Sequence, residues 1–161
     1  MIEKYSVPKF LNVNVAIIAV SQVLKATFFD PSFPYLKRCE GHIVVLVPEI
    51  TDKGVRPFVL YEHSIGENWP HQFDKIAMSK AFQLWEDRND GGTDIKPHLL
   101  YTGDAPYWGG VKREGIVVAC SGVQPYYDRM IAGMIADMCV ALSYDAWEQS
   151  LDKKEDVDSL S

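Results

Sequence analysis

The chain has 161 residues, of which 47% are apolar and 12% aromatic, so it can bury the core of one folded domain and is not intrinsically disordered. The net charge of −6, with no cluster of basic residues, disfavours a nucleic acid as the main partner. Three widely spaced cysteines, Cys39, Cys120 and Cys139, indicate reduced thiols in the cytoplasm rather than a disulfide framework.

The first predicted element is a helix that begins after Asn12. Its apolar side chains follow the spacing of an amphipathic helix, at Val13, Ala16, Ile17, Val20 and Leu24. The apolar stretch is too short to cross a bilayer and makes a poor signal peptide, so we expect a core helix and no membrane association. Turn-forming residues at 30–34 end this helix.

A hairpin and a second helix are predicted next. The continuous β-branched run at residues 42–47 indicates a strand buried on both faces, and residues 57–63 are its expected partner across the turn at 52–54. Helical spacing returns over residues 71–88. The four residues 89–92, Asn-Asp-Gly-Gly, are expected to end this helix.

Two further strands, at residues 98–102 and 115–121, are predicted on either side of the turn-prone stretch YWGGVKREG. Neither face of the second strand is polar, which indicates a central position in the sheet. The last helix carries a broad apolar band, and residues 148–161 are predicted to be a charged, flexible tail behind a domain of residues 1–147. This order of elements favours an α+β fold with a mainly antiparallel sheet.

The junction between the last strand and the last helix places Cys120 and Ser121 before Gly122, where some hydrolases carry a nucleophile. A nucleophile elbow requires the pattern G-x-S-x-G, and neither flanking glycine is present around Ser121. We therefore expect Cys120 to be a small buried residue. Asp128 lies in the first turn of the helix, where it either compensates the helix dipole or stands beside a ligand pocket.

Four motifs occur in the order typical of the GlcG/HbpS-like family, which includes the C-terminal domain of PduO-type proteins, and the chain resembles that family over residues 13–146. They are Ile76-Ala77-Met78-Ser79-Lys80-Ala81, Gly109-Gly110, a strand ending in Ser121-Gly122, and Asp128 at the start of the last helix. The chain departs from the family at residues 63–71, where the family often has an R-x-D-G-A-like stretch. Ligand choice is expected to be set there.

The resemblance implies a profilin-like fold, in which helices pack against a central antiparallel sheet in a single domain, and assembly into homo-oligomers. It also implies binding of a small molecule, since some members bind haem and others accompany corrinoid or small-acid metabolism. The ligand-binding residues that it implies are Lys80, Gly109, Gly110, Ser121, Gly122 and Asp128. A lysine, a glycine turn and a helix start would suit a carboxylate, although Lys80 is also consistent with a side chain that snorkels along a half-buried helix.

Two histidines flank the divergent loop. His63 and His71, with Trp69 between them, are the candidate axial ligands if the bound molecule is haem, and hydrogen-bonded structural histidines otherwise. The spacing of the cysteines indicates no metal site. The predicted function is therefore a small-molecule-binding accessory protein. An oligomeric scaffold ranks second, and a cofactor-independent enzyme that uses Asp128 or a histidine ranks third.

Overall fold

Four strands and three α-helices follow one another in the computed structural model, which describes residues 9–89 and 94–150. They are α1 (Val13–Ala26), β1 (Gly41–Thr51), β2 (Gly54–Ile65), α2 (Phe73–Trp85), β3 (Gly110–Arg113), β4 (Ile116–Ser121) and α3 (Pro125–Glu148). The predicted α+β class is confirmed. Most of the predicted tail, residues 151–161, lies outside the described residues.

The strands form one antiparallel sheet in the order β2-β1-β4-β3. The predicted hairpin is present, since β1 pairs with β2 from Gly41 opposite Ile65 to Thr51 opposite Gly54. β4 is central, as its sequence predicted, and all six of its residues are buried. It pairs with the first half of β1 and places Ser121 opposite His42.

Helices cover both faces of the sheet. On one face, α2 packs against Val44, Leu46, Val117 and Ala119. On the other face, α1 and α3 pack against Ile43, Val45, Ile116 and Val118. The end of β4 therefore lies between α2 on one side and the start of α3 on the other.

α1 begins where its sequence predicted, because the Asn12 side chain accepts a hydrogen bond from the backbone N–H of Val15 at 3.0 Å. Its buried face differs from the predicted one. Val13 and Ile17 are 42% and 40% exposed, whereas Ala19 and Val23 are buried. The apolar band of α1 is thus wider than the surface that packs on α3 and β2.

The predicted strand at residues 98–102 is wrong. A short 3-10 turn, Pro97–Leu99, begins this segment, and side chains satisfy its backbone in place of a neighbouring strand. Arg88 Nη1 donates to the Leu99 oxygen and to Asp104 Oδ2, both at 2.6 Å, and Tyr101 N–H donates to the same carboxylate at 2.7 Å. Pro97, directly before the predicted strand, suits the first turn of this 3-10 helix.

The stretch YWGGVKREG is not only a turn, because β3 occupies its middle. Glu114 and Gly115, with φ angles of 51° and 81°, form a tight two-residue connection to β4. α2 is shorter than predicted, since it ends at Trp85 and Asp87 follows with a φ of 58°. Of the predicted stop at residues 89–92, Asn89 has a φ of 48°, and residues 90–92 lie outside the described residues.

Among the described helices, only α3 is long and apolar enough to pass as a membrane span by length and composition. The same test is met by the core helices of globular proteins. Ile131, Ala132, Ile135 and Ala136 of α3 are fully buried within the core. The described residues form a small globular fold that is compatible with a soluble protein.

Candidate functional site

A buried ion pair joins α2 to α3 at the end of β4. Lys80 Nζ donates to Asp128 Oδ2 at 3.2 Å and to the backbone oxygen of Cys120 at 2.8 Å. Asp128 also accepts from the backbone N–H of Val123 at 3.2 Å. Only 3% of each charged side chain is exposed. Because the two helices lie on opposite faces of the sheet, the pair connects the two helical layers.

Two glycines leave the room that this arrangement needs. Gly109 has a φ of 142°, and a Cβ atom there would lie 2.7 Å from Cβ of Asp128 and 2.9 Å from Nζ of Lys80. Gly122 has a φ of 140°, and a Cβ atom there would clash with the carbonyl oxygen of Glu40. Residues that carry a side chain rarely adopt these φ values, so glycine is required at both positions.

Burial raises the pKa of Asp128 from 3.8 to about 6, because lost hydration outweighs the attraction of Lys80 and the hydrogen bonds from Val123, Lys80 and the Cys120 thiol. Burial, together with the charge of Asp128, also raises the pKa of Cys120 well above its usual value. Asp128 therefore changes its charge under weakly acidic conditions, whereas Cys120 remains a thiol.

A cleft of about 240 Å³ opens beside the ion pair. It is lined by Lys37, Arg38, His71, Phe73, Ile76, Lys80, Tyr107, Ser121, Gly122, Val123, Pro125 and Asp128. Lys80 and Asp128 are its buried residues with charged side chains, whereas Lys37 is exposed. Three cationic side chains face one carboxylate, so the cleft favours anions. A depression of similar size, about 260 Å³, lies at the far end of α3 beside Tyr144 and Trp147, away from these groups.

The basic side of the cleft is held in place by Gln124, the residue before α3. Its Nε2 donates to the backbone oxygen of Tyr35 at 3.0 Å, and its Oε1 accepts from the backbone N–H of Lys37 at 3.1 Å. The Arg38 guanidinium lies 5.4 Å from the centre of the Phe73 ring, within the range of a cation–π contact. Lys37 and Arg38 are thus fixed relative to both α3 and α2.

The structure brings five of the eight residues predicted for ligand binding to this cleft. They are His71, Lys80, Ser121, Gly122 and Asp128. Gly109 and Gly110 line a separate space of about 10 Å³ behind Lys80. Their contribution is therefore to the packing around the lysine rather than to the wall of the cleft.

His63, the remaining predicted residue, lies apart from the cleft. It lies in β2 opposite Ile43 of β1, on the sheet face that α1 and α3 cover. Its Nδ1 is 3.0 Å from the Tyr61 hydroxyl. Burial, with a contribution from the charge of His42, lowers the pKa of His63. His63 and His71 thus do not face one common cavity.

The residues that would serve nucleophilic or metal chemistry do not form such a site. Cys120 is fully buried, as the sequence predicted, and its raised pKa disfavours the reactive thiolate. Within residues 9–89 and 94–150, no three His, Cys, Asp or Glu side chains lie close enough together to hold a metal ion.

Sequence reasoning missed the basic side of the cleft. Lys37 and Arg38 are adjacent cations in a turn-rich segment of an acidic chain, which is the one sequence signal that would have pointed to them. Gln124 and Tyr107 carry no such signal, because their positions depend on contacts with distant parts of the chain.

No family model, curated protein or solved structure matches this chain. The resemblance to the GlcG/HbpS-like family therefore stays a prediction, and the site is interpreted from its own chemistry.

Proposed function

We propose that the cleft at the start of α3 binds a small organic anion, in the first place a short-chain carboxylate. The chain would then be a small-molecule-binding accessory protein of the GlcG/HbpS-like type that works in the cytoplasm. The observation that carries this proposal is the convergence of Lys37, Arg38 and the buried Lys80 on one cleft, with Asp128 as the single carboxylate. Charged hydrogen bonds of this kind are the strong ones in ligand binding.

The volume of the cleft supports a ligand of few atoms. Pockets for drug-sized molecules measure about 300 to 1,000 Å³, and this cleft is smaller, at about 240 Å³. Phe73, Ile76 and Pro125 give it an apolar wall, which suits the short carbon chain of a metabolic acid.

Haem does not fit this cleft. A porphyrin is larger than most drug-sized ligands, and the exposed His71 stands at the edge of a cleft that His63 does not enter. A more open depression of about 550 Å³ borders His71, but Glu67 and Asp74 line it and would repel the two propionates. We therefore propose a carboxylate rather than haem.

Replacing Arg38 with glutamine is expected to weaken the binding of lactate about tenfold or more, because a hydrogen bond to a charged group contributes about 1.5 to 3 kcal/mol. Isothermal titration calorimetry of sodium lactate into the wild type and the variant measures the change. Added salt should weaken binding to the wild type as well.

Arg56→Gln provides the matched control. Arg56 is an exposed arginine that pairs with Glu49 near the turn of the β1–β2 hairpin, at the opposite end of β1 from the cleft. Its loss should leave lactate binding unchanged. Equal affinities of the wild type and Arg38→Gln for lactate would contradict the proposed site, as would equal binding of the uncharged lactamide.

We also propose that the protein assembles as a homo-oligomer. Beyond the five residues that pair with β4, the β1–β2 hairpin carries exposed apolar side chains, including Ile50 at 69% and Phe58 at 46%. A two-stranded hairpin of this kind gains stability when another surface covers it. Sedimentation velocity should detect an assembly larger than one chain, and a monomer at all concentrations would contradict this proposal.

A further inference from the structure

Lys80 has a position that differs from that of a simple counter-ion. Among the described residues, it is the one lysine whose side chain is buried, and it lies in the wall of the cleft beside a carboxyl group. A ligand carboxylate needs only an accessible charge, which Lys37 and Arg38 supply at the rim. A lysine that is desolvated in the wall of a cleft, with a group in contact that can take its proton, can instead serve as a nucleophile.

We propose that Lys80 forms a Schiff base with the carbonyl carbon of a short 2-oxo acid bound in the cleft. This inference rests on the proposed function, because Lys37 and Arg38, two of the three cations of that cleft, hold the carboxylate of the acid. It goes beyond carboxylate binding by naming the class of substrate, a 2-oxo acid, and a covalent step. The carbonyl carbon of a 2-oxo acid is the atom next to its carboxylate, so a small cleft can present both groups to the protein at once.

Lys37 and Arg38 would hold the carboxylate of the bound acid. Gln124 fixes the backbone of Lys37 to the start of α3, and the Arg38 guanidinium rests over Phe73 of α2. Lys80 lies seven residues further along the same helix as Phe73, which is about 10 Å along the helix axis. Arg38 thus rests against the first residue of α2, Lys80 is the eighth residue of that helix, and both line the same cleft.

Asp128 supplies the proton transfers. Its Oδ2 is 3.2 Å from Lys80 Nζ, within reach for a direct transfer. The pKa of Asp128, raised by burial to about 6, makes it a better proton acceptor than an exposed carboxylate and a proton donor under mild conditions.

The step balances without any further reactant. Asp128 takes a proton from the Lys80 ammonium, and the nitrogen lone pair then attacks the carbonyl carbon, so that a C–N bond forms and the oxygen becomes a hydroxyl. The C–O bond breaks and the oxygen leaves as water. Two protons have then moved from nitrogen to oxygen by way of Asp128, which ends as a carboxylate beside a protonated imine. Nothing is oxidised or reduced.

Borohydride trapping tests this inference on the full chain. Sodium borohydride added to the protein with pyruvate should reduce the imine, and peptide mapping by mass spectrometry should place the reduced adduct on Lys80. Lactate has the same carboxylate but no carbonyl, so it should bind without giving an adduct. Lys75→Arg removes an exposed lysine of the same helix and should leave the adduct unchanged. The residue assignment comes from the wild type, so it does not depend on a Lys80 variant that folds.

The results separate this inference from the proposed function. If calorimetry shows that pyruvate and lactate both bind but no adduct forms on Lys80, the Schiff base is excluded and the carboxylate site stands. An adduct spread over surface lysines in place of Lys80 also excludes it. If neither acid binds and no adduct forms, both proposals fail.

Discussion

Replacing Lys80 with methionine is expected to lower the free energy of unfolding by about 3 to 5 kcal/mol at neutral pH. The variant keeps most of the side-chain volume but leaves the Asp128 carboxylate buried without its cation. The loss is large because an unpaired charge in the interior must be desolvated with no compensating partner. Urea denaturation of the wild type and the variant, followed by circular dichroism, measures the difference.

Lys75→Met is the control for this prediction, since Lys75 is exposed on the same helix. It should change the free energy of unfolding by no more than about 0.5 kcal/mol. The double variant Lys80→Met/Asp128→Leu should recover much of the lost stability, because an apolar pair can replace a buried ion pair at little cost. A loss below about 1 kcal/mol in Lys80→Met would show that Asp128 does not depend on the lysine.

The contribution of Asp128 to stability should decrease as the pH rises from about 3 to about 7. The pKa of this carboxyl is about 6 in the folded protein and 3.8 when it is solvated, so the folded state binds the proton more tightly. The stabilisation is fully present below the lower value and is lost as the pH passes the higher one. The difference between the two values corresponds to about 3 kcal/mol.

Two variants test the direction of this pH dependence. The free energy of unfolding of the wild type, relative to Asp128→Asn, should fall by about 3 kcal/mol over this range. Relative to Asp104→Asn, the free energy of unfolding of the wild type should instead rise with pH. Burial opposes ionisation of Asp104, but hydrogen bonds from Arg88 and the Tyr101 N–H outweigh it and lower its pKa. Relative slopes of the same sign for the two variants would contradict the assignment of Asp128.

Elements set by local signals were predictable from the sequence. The start of α1 depends on Asn12, which caps the helix three residues away. The β1–β2 hairpin depends on the turn at residues 52–54, and β4 has the apolar run of a central strand. In each case the deciding interactions are short-range or depend on the local pattern alone.

Sequence patterns mispredict the segments whose structure depends on distant contacts. Residues 98–102 have strand-like composition, but their backbone forms hydrogen bonds with the side chains of Arg88 and Asp104 in place of a neighbouring strand. β3 lies in a stretch whose glycines indicate a turn. Gly110 is required there for packing within the sheet, because a side chain at this position would meet Leu84 and the oxygen of Val118. No local pattern reports either effect.

The candidate site shows the same division. Lys80 and Asp128 were each predicted for ligand binding from a resemblance, but their contact spans 48 positions of the sequence. The hydrogen bond from Lys37 to Gln124 spans 87. His63 was grouped with His71 because the two are close in sequence, whereas the pairing of β2 with β1 directs His63 to the other face of the sheet.

The most direct test of the carboxylate site is a lactate titration of isotope-labelled protein followed by two-dimensional NMR. We predict saturable shifts of the backbone amides of Lys37, Arg38, Ser121, Gly122 and Val123, with the amides of the hairpin end near Arg56 unchanged. Lactamide should cause no such shifts. If lactate gives no saturable change at these amides, or gives its changes elsewhere, the cleft at the start of α3 does not bind carboxylates.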